Sequence, residues 1–266
     1  MDPTAVALVL GAAVLHAWWN VRLHGADDRV AAMAMSGLIS GVVLLPFFLL
    51  DPPNGVWGLL VISGVAEAVY GLALAGAYRR GALAVTYPVG RGSAPLMATL
   101  AATVVVDQPA SVRTVVAASL VAVGLVLLAF RSHRSGTLAA TGLALIVGAT
   151  IATYSVVDAR AVGLGAAPLA YLAGALTIEG VLMTSTTGFD RARLRAALTP
   201  GAAIALGSVG AYALVLFAFR LAPVGQVATL REVSVVLAVL MAHERPGPLG
   251  WAGIALVVGG ASLAAV

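Results

Sequence analysis

The chain has 266 residues, of which 61% are hydrophobic and 10% are charged, and its mean hydropathy is +1.03. Soluble domains carry about 25% charged residues, so this composition excludes an ordinary soluble domain and indicates a membrane protein. The net charge of +4 comes from arginines at the ends of apolar runs, which favours membrane orientation over nucleic-acid binding, and the lack of cysteine excludes disulfides and cysteine-based metal sites.

Ten apolar runs are long enough to cross a bilayer, which takes roughly 20 residues of helix. The predicted spans cover residues 4–21, 31–50, 56–77, 83–106, 112–130, 137–157, 165–186, 201–219, 223–242 and 248–265. The connections are short and hold most of the charge. The first run has no positively charged residues before it, so we interpret it as a retained span and not as a signal peptide.

The first predicted span ends in a polar and aromatic strip, HAWWN at residues 16–20. His16 and Asn20 are one helical turn apart and therefore share a face, and Trp19 lies beside them. Two interpretations stay open. The strip lines a polar cavity, or it lies at the membrane interface as a tryptophan belt with a hydrogen-bonded histidine.

The third predicted span contains Glu67, an ionisable residue well inside an apolar run. Tyr70 and Tyr78 lie two turns apart on one face of the same span. This spacing is also typical of aromatic residues that pack in a helical core.

The fourth predicted span contains the sequence YPVGRGSAPL, which begins at Tyr87. Pro88 and Pro95 remove backbone donors from the helix, and Arg91 places a fixed charge inside an apolar run. We therefore expect a broken helix that lines a polar cavity, with Tyr87 in contact with the cavity and the two prolines as hinges.

The second half carries its ionisable residues in the seventh and ninth predicted spans. Glu179 lies in the seventh, and Arg231 and Glu232 lie in the LREVS sequence of the ninth. Pro223, at the start of the ninth span, is a third candidate hinge.

The buried arginines need partners because arginine does not deprotonate in proteins. The pattern predicts that Arg91 pairs with Glu67 and that Arg231 pairs with Glu179. Glu232 lies about 100° around the helix from Arg231, so we expect it to face different surroundings. Such pairs either fasten helices together or line a cavity where they contact solute or protons.

The buried carboxylates are candidates for proton coupling, because a carboxylate removed from water binds a proton more readily. Glu232 is the first candidate, Glu67 the second, and Glu179 completes the set. Asp107 and Asp158 are predicted to lie at the ends of spans.

The tenth predicted span is rich in glycine, which allows helices to approach closely. The close packing is predicted either within the bundle or across a homodimer. The glycines concerned are Gly247, Gly250, Gly253 and Gly259.

The two halves of the chain resemble each other in four segments that occur in the same order. PVG at 88–90 recurs at 223–225, YGLALAGAYR at 70–79 as YALVLFAFR at 212–220, HAWWNVR at 16–22 as YSVVDAR at 154–160, and AVGLVLLA at 122–129 as VVGGASLA at 257–264. We therefore predict two repeats of five spans, residues 1–134 and 135–266. An odd number of spans per repeat inverts one half, as in carriers that work by alternating access. Chance similarity between helices rich in Ala, Val and Gly is the alternative.

HAWWN, YPVGRGSAPL and LREVS together resemble the drug/metabolite transporter superfamily, in particular its EamA-type members, over essentially the whole chain. The resemblance implies an all-α membrane protein of ten transmembrane helices in two inverted five-helix repeats. It also implies a central cavity that moves small metabolites without ATP. The second half departs from the pattern, because its LAPVGQVATLREVS sequence lacks YPxxRG and has its arginine later, at Arg231.

The orientation is predicted in two opposing ways. Loops after the odd-numbered spans carry ten arginines and the loops on the other side carry three, which predicts that both termini lie outside. The usual arrangement of the family has both termini in the cytoplasm.

The sequence argues against other function classes. It contains neither the GxxxxGK[ST] pattern of ATP-driven transport nor an HExxH metal motif, and its four histidines are scattered. A non-transporting structural or assembly subunit, or an intramembrane enzyme, is the alternative to a carrier.

The sequence thus predicts a secondary-active transporter of the cell (inner) membrane, an exporter of an amino acid or a small organic anion. It predicts the bilayer and a small-molecule solute as partners, with no cofactor, metal or nucleic acid. The three carboxylates would equally suit a cationic solute. The candidate substrate-binding residues are Arg91, Glu67, Tyr87, His16, Asn20, Trp19, Arg231 and Glu232.

Overall fold

In the computed structural model, residues 1–79, 83–129, 138–242 and 246–266 are described, without the side chains of residues 77–79, 83–89, 129 and 138–141. This part of the chain folds into helices joined by short connections. The helices are α1 (Pro3–His24), α2 (Arg29–Leu50), α3 (Trp57–Arg79), α4 (Leu83–Val105), α5 (Val112–Ala129), α6 (Leu138–Gly163), α7 (Pro168–Thr186), α8 (Arg191–Ala196), α9 (Leu198–Ala218), α10 (Val224–Arg231), α11 (Val233–Met241) and α12 (Pro248–Ala265).

Aspartate side chains cap the helices that follow charged or polar connections. Asp2 accepts a hydrogen bond from the amide of Thr4 at the start of α1, and Asp28 accepts one from the amide of Ala31 at the start of α2. Asp190 caps α8 in the same way. These carboxylates satisfy amides that have no partner inside the helix, so each helix begins at a defined residue.

The protein is an all-α, multi-pass membrane protein. Within the described residues, eight helical stretches are long and apolar enough to cross a bilayer. The outer surface of the bundle is apolar: Val42, Val104 and Leu206 are each more than 70% exposed. Several ionisable side chains, among them Glu67, Arg91 and Glu179, are buried inside the bundle. An apolar outer surface around buried charges is the reverse of the soluble pattern and is typical of a protein surrounded by lipid.

The observed helices follow most of the predicted spans, with three differences. The helix predicted at 137–157 continues to Gly163 as α6, and a short helix, α8, occupies the charged connection before α9. The span predicted at 223–242 is divided at Glu232 into α10 and α11.

The expected break in the fourth span is wrong, because α4 winds without interruption through Pro88 and Pro95. A proline removes one hydrogen bond from the ladder, and the packing of a membrane bundle can hold the helix together across that gap. Pro95 is buried within α4, and Pro223 is the exposed N-terminal cap of α10.

Close helix packing centres on glycines. A Cβ added at Gly180 of α7 would lie 2.5 Å from the amide nitrogen of Leu38 in α2, and one added at Gly90 of α4 would lie 2.8 Å from the carbonyl oxygen of Ala144 in α6. No side chain fits in either place, so the backbones of these helix pairs are in direct contact.

The predicted glycine packing of the last helix is confirmed for one residue. A Cβ at Gly253 of α12 would lie 2.5 Å from the carbonyl oxygen of Gly124 in α5. Gly250 makes only ordinary contacts across the helix pair. Gly247 and Gly259 have open space where a Cβ would be, so the prediction of close packing within the chain is wrong for both.

The helices enclose an interior that contains the polar residues. α2 packs on α7 and α9, α3 packs on α6 and α7, and α1 packs on α9 and α11. α4 packs on α5, α6 and α10, and α5 packs on α12. The space between α1, α2, α3, α6, α7 and α9 holds the cavity described next.

Candidate functional site

A buried ion pair connects α4 with the junction of α10 and α11. The Nε of Arg91 donates to Oε2 of Glu232 at 2.9 Å, and both side chains are fully buried. The guanidinium also donates to Oγ of Ser234 at 3.0 Å, and its Nη1 lies 3.0 Å from Nε2 of His16 in α1. Every nitrogen of the guanidinium therefore has a partner.

The bend at Glu232 presents this carboxylate to Arg91. Its amide bonds to the carbonyl of Thr229, and its own carbonyl accepts from the amide of Val235, so the chain closes two tight i→i+3 turns at this residue. The predicted pairing of Arg91 with Glu67 is wrong. Residues of different halves form the pair, and periodicity within one helix cannot indicate such a contact.

A cavity of about 60 Å³ lies beside the ion pair and is large enough for several water molecules. Its wall combines two carboxylates, three tyrosines and small polar or apolar groups from six helices. The lining residues are His16, Trp19, Met33, Ser36, Glu67, Tyr70, Tyr154, Leu176, Glu179, Ile204, Ser208 and Tyr212.

The two cavity glutamates have no ion-pair partner within the described residues. Glu67 of α3 is 7% exposed and Glu179 of α7 is 8% exposed. Oε2 of Glu67 is buried and has no hydrogen bond to the part of the chain that the structure describes. These groups point into the cavity, where water, a proton or a ligand can reach them.

The predicted pairing of Arg231 with Glu179 is also wrong. Arg231 is 1% exposed, and its Nη2 donates to Oγ of Ser155 in α6 at the long distance of 3.4 Å. Among the described residues, its Nε has no partner. The guanidinium is buried behind the cavity wall and does not line the cavity.

Three tyrosine rings form one side of the cavity. Tyr154 of α6 makes edge-to-face contacts with Tyr70 of α3, with ring centroids 6.3 Å apart, and with Tyr212 of α9, with centroids 5.5 Å apart. His16 and Trp19 make a similar contact at 4.8 Å. The aromatic rings are therefore fixed against one another.

Asp158 of α6 supports this aromatic wall from behind. It is fully buried and accepts hydrogen bonds from the hydroxyls of Tyr171, at 2.9 Å, and Tyr212. The prediction that Asp158 lies at a span end is wrong, because α6 continues beyond it. The correspondence of YSVVDAR with HAWWNVR, which aligns Asp158 with Asn20, was the sequence signal that could have identified it.

The remaining predicted residues divide into three groups. His16 and Trp19 line the cavity. Asn20 is buried, but its Nδ2 donates to the carbonyl of His16 in its own helix. The side chains of Tyr87 and Pro88 lie outside the described residues.

The site contains no obvious metal centre in the described part of the chain, where no cluster of three or more His, Cys, Asp or Glu side chains has the geometry to hold a metal ion. What the site offers chemically is proton exchange at carboxylates and contact with a small polar solute.

The comparison with known proteins supports the fold and does not identify a function. No protein-family model and no curated protein matches the sequence. Among solved structures, 23 chains are similar to it. One of these, described only as "Crystal structure of protein", is 18% identical, with a TM-score of 0.78 over 99% of this chain and 97% of its own. At this identity the similarity shows the fold alone, and it covers the whole chain.

Proposed function

We propose that this protein is a secondary-active carrier of the cell (inner) membrane that moves a small polar metabolite by alternating access. The observation that carries the proposal is a cavity inside an apolar bundle, lined by Glu67 and Glu179, neither of which has an ion-pair partner among the described residues. A protein that only fastened a membrane complex together would gain nothing from unpaired carboxylates in its interior, because they are costly to bury.

The helix packing supports an inverted repeat of two five-helix units, residues 1–134 and 135–266. In this proposal α10 and α11 form one span and α8 lies in a connection, so that ten spans remain. The repeat pairs each helix of the first half with one of the second: α1 with α6, α2 with α7, α3 with α9, α4 with α10–α11 and α5 with α12. When the paired helices are exchanged, the contacts of α3 with α6 and α7 become those of α9 with α1 and α2. The pairs α2–α7 and α5–α12 map onto themselves.

The same exchange relates residues of the cavity. The repeated segments align Tyr70 with Tyr212 and His16 with Tyr154, and all four side chains line the cavity. A site built from corresponding positions of two inverted units lies at their interface, which is where carriers of this kind bind their solute. The resemblance to EamA-type members of the drug/metabolite transporter superfamily agrees with this architecture.

The proposed roles follow from which charges have partners. Glu67 and Glu179 carry the exchangeable protons, since they face the cavity. Glu232, the first candidate from the sequence, is bound to Arg91 and instead joins the two halves. The expected preference for an organic anion depended on Arg91 and Arg231 lining the cavity, and neither does.

Single-cysteine labelling tests alternating access, because the chain has no cysteine of its own. Ser208→Cys places a thiol on the cavity wall, and Leu206→Cys places one on the 74% exposed outer face of the same helix. A membrane-impermeant thiol reagent should modify Ser208→Cys from either side of sealed vesicles and leave Leu206→Cys unmodified, because thiolates form only where water is present.

Flux in proteoliposomes tests transport itself. Vesicles that contain a pH-sensitive dye should report proton movement when a gradient of the carried solute is imposed, and the Glu67→Gln/Glu179→Gln variant should abolish it. If purified protein moves no solute of any charge class, and Ser208→Cys reacts from one side only, the carrier proposal is wrong and the structural-subunit alternative is favoured.

A further inference from the structure

Among the residues whose side chains the structure describes, the interior of the bundle contains more acidic than basic groups. The buried carboxyl groups and guanidinium groups are those of Glu67, Asp158, Glu179, Glu232, Arg91 and Arg231. The bond between Arg91 and Glu232 cancels one charge of each sign. Within this described set, three carboxyl groups and the guanidinium of Arg231 remain, which is an excess of two negative charges when all of them are ionised.

The excess charge is concentrated at the cavity wall. The charged groups whose fields reach Glu67 are Glu179, Asp158 and Arg231. Tyr154 and Tyr212 face the same space, and His16 closes one side with its Nε2 beside the Arg91 guanidinium. None of the described residues that line the cavity carries a guanidinium, so an anionic ligand would meet two carboxylates and no arginine from this part of the chain.

The cavity wall also discriminates between kinds of cation. A metal ion takes several oxygen or nitrogen ligands, and the described residues contain no cluster that could supply them. The rings of Tyr70, Tyr154 and Tyr212 instead offer π faces and edges next to Glu67 and Glu179. Aromatic rings combined with carboxylates are the groups that bind ammonium ions.

We propose that the cavity binds a small organic cation, an amine or a quaternary ammonium compound, with its charged nitrogen between Glu67 and Glu179 and against the tyrosine rings. This proposal rests on the proposed function for its transport role, but the binding itself can be measured without transport. Protons and the cation compete for the same carboxylates, so proton uptake at the site releases the ligand.

The first test compares two ligands of the same shape. Choline and 3,3-dimethylbutan-1-ol differ in that a quaternary nitrogen replaces a quaternary carbon, so that only the charge changes. Calorimetric titration of wild-type protein in lipid nanodiscs should give saturable binding of choline and none of the alcohol. Equal binding of both, or binding of 3,3-dimethylbutanoate in place of choline, overturns the proposal without any variant having to fold.

The second test uses pH and variants. Choline binding should weaken as the pH is lowered, by up to about tenfold per pH unit for each proton that competes. Glu67→Gln and Glu179→Gln should each weaken it roughly 10- to 100-fold, which is the value of one hydrogen bond or contact with a charged group. Asp27→Asn, which removes an exposed carboxylate, is the matched control and should bind as the wild type does. Unchanged affinity in both glutamine variants overturns the proposal.

Flux measured on the same preparations separates this proposal from the carrier proposal. Choline binding without movement of any solute keeps the cation site and contradicts the carrier. Movement of an organic anion without choline binding keeps the carrier and contradicts the cation site.

Discussion

The interior holds two groups of buried charge that differ in how they are satisfied. Arg91 and Glu232 form a closed cluster, in which the guanidinium bonds to a carboxylate, a hydroxyl and an imidazole, and neither side chain contacts solvent. Glu67 and Glu179, on the other side of His16, face a cavity without an ion-pair partner in the described residues. The hydrogen bonds of the first cluster hold it in one arrangement, whereas the carboxylates of the second can bind and release a proton or a ligand.

This difference shows that burial alone does not identify a functional residue. All four side chains are less than 9% exposed, and the sequence ranked Glu232 ahead of Glu67 and Glu179 as a proton-coupling candidate. What separates them is whether their hydrogen-bonding groups are satisfied by the protein. The following predictions test that distinction, from the largest expected effect to the smallest.

Breaking the closed cluster should have the largest effect on stability. Arg91→Ala leaves Glu232 buried without its counter-charge, which costs about 3–5 kcal/mol. Thermal unfolding in detergent should show this loss, although the variant still inserts into the membrane. The Arg91→Met/Glu232→Met double variant removes both charges and should recover most of the loss. If Arg91→Ala is as stable as the wild type, the cluster is not the closed unit described here.

Weakening the hydrogen bonds from Asp158 to the tyrosine hydroxyls should cause the second-largest loss of stability. Asp158→Asn keeps the shape of the side chain but weakens its bonds to the hydroxyls of Tyr171 and Tyr212, at a cost of about 1.5–3 kcal/mol. Denaturant unfolding measures the change. Asn20→Ala, at the corresponding position of the first half, loses only a bond within its own helix and is the comparison. An equal loss in the two variants would contradict the supporting role of Asp158.

Neutralising the cavity should change stability little. Glu67→Gln replaces an unpartnered carboxyl group with an uncharged one of the same size, so the free energy of unfolding should stay the same or rise, by less than about 1 kcal/mol. Thermal unfolding of Glu67→Gln, measured in parallel with that of Arg91→Ala, shows the difference in stability. A loss as large as that of Arg91→Ala would mean that the protein itself satisfies Glu67.

The surface ion pair between Asp28 and Arg193 should have the smallest effect. The hydrogen bond from Arg193 lowers the pKa of Asp28, which also caps α2. Because the pKa is lower in the folded state, the stabilisation is present above the usual pKa of aspartate and is lost as the pH falls through the lowered one. Solvent screens this half-exposed pair. The free energies of unfolding of Asp28→Asn and the wild type should therefore differ slightly at neutral pH and not at all in acid. A difference that grows as the pH falls would contradict the lowered pKa of Asp28.

The sequence predicted the helices well, because an apolar run of about 20 residues is itself the property that a bilayer selects. It also predicted that Arg91, Glu67, Glu179, Arg231 and Glu232 are buried. It could not predict their partners. The pair of Arg91 and Glu232 spans 141 residues of sequence, and helical periodicity describes only the faces of a single helix.

Two features were predicted in the wrong place for physical reasons. The prolines of α4 suggested a break there, but the chain bends at Glu232, where neither proline nor glycine is present and where the partner of Arg91 lies. Asp158 was assigned to a span end because hydropathy falls at that point, whereas two tyrosine hydroxyls satisfy it inside the bundle.

The sequence distance within the buried pair has a consequence for biosynthesis. Arg91 leaves the ribosome 141 residues ahead of Glu232, which corresponds to roughly 7–30 s at translation rates of about 5–20 residues per second. Through that interval the newly made α4 carries its cation into the insertion machinery before its own partner, Glu232, has been synthesised. Slowing translation between the halves should therefore expose this nascent intermediate to quality-control proteases more than a delay after Glu232 would.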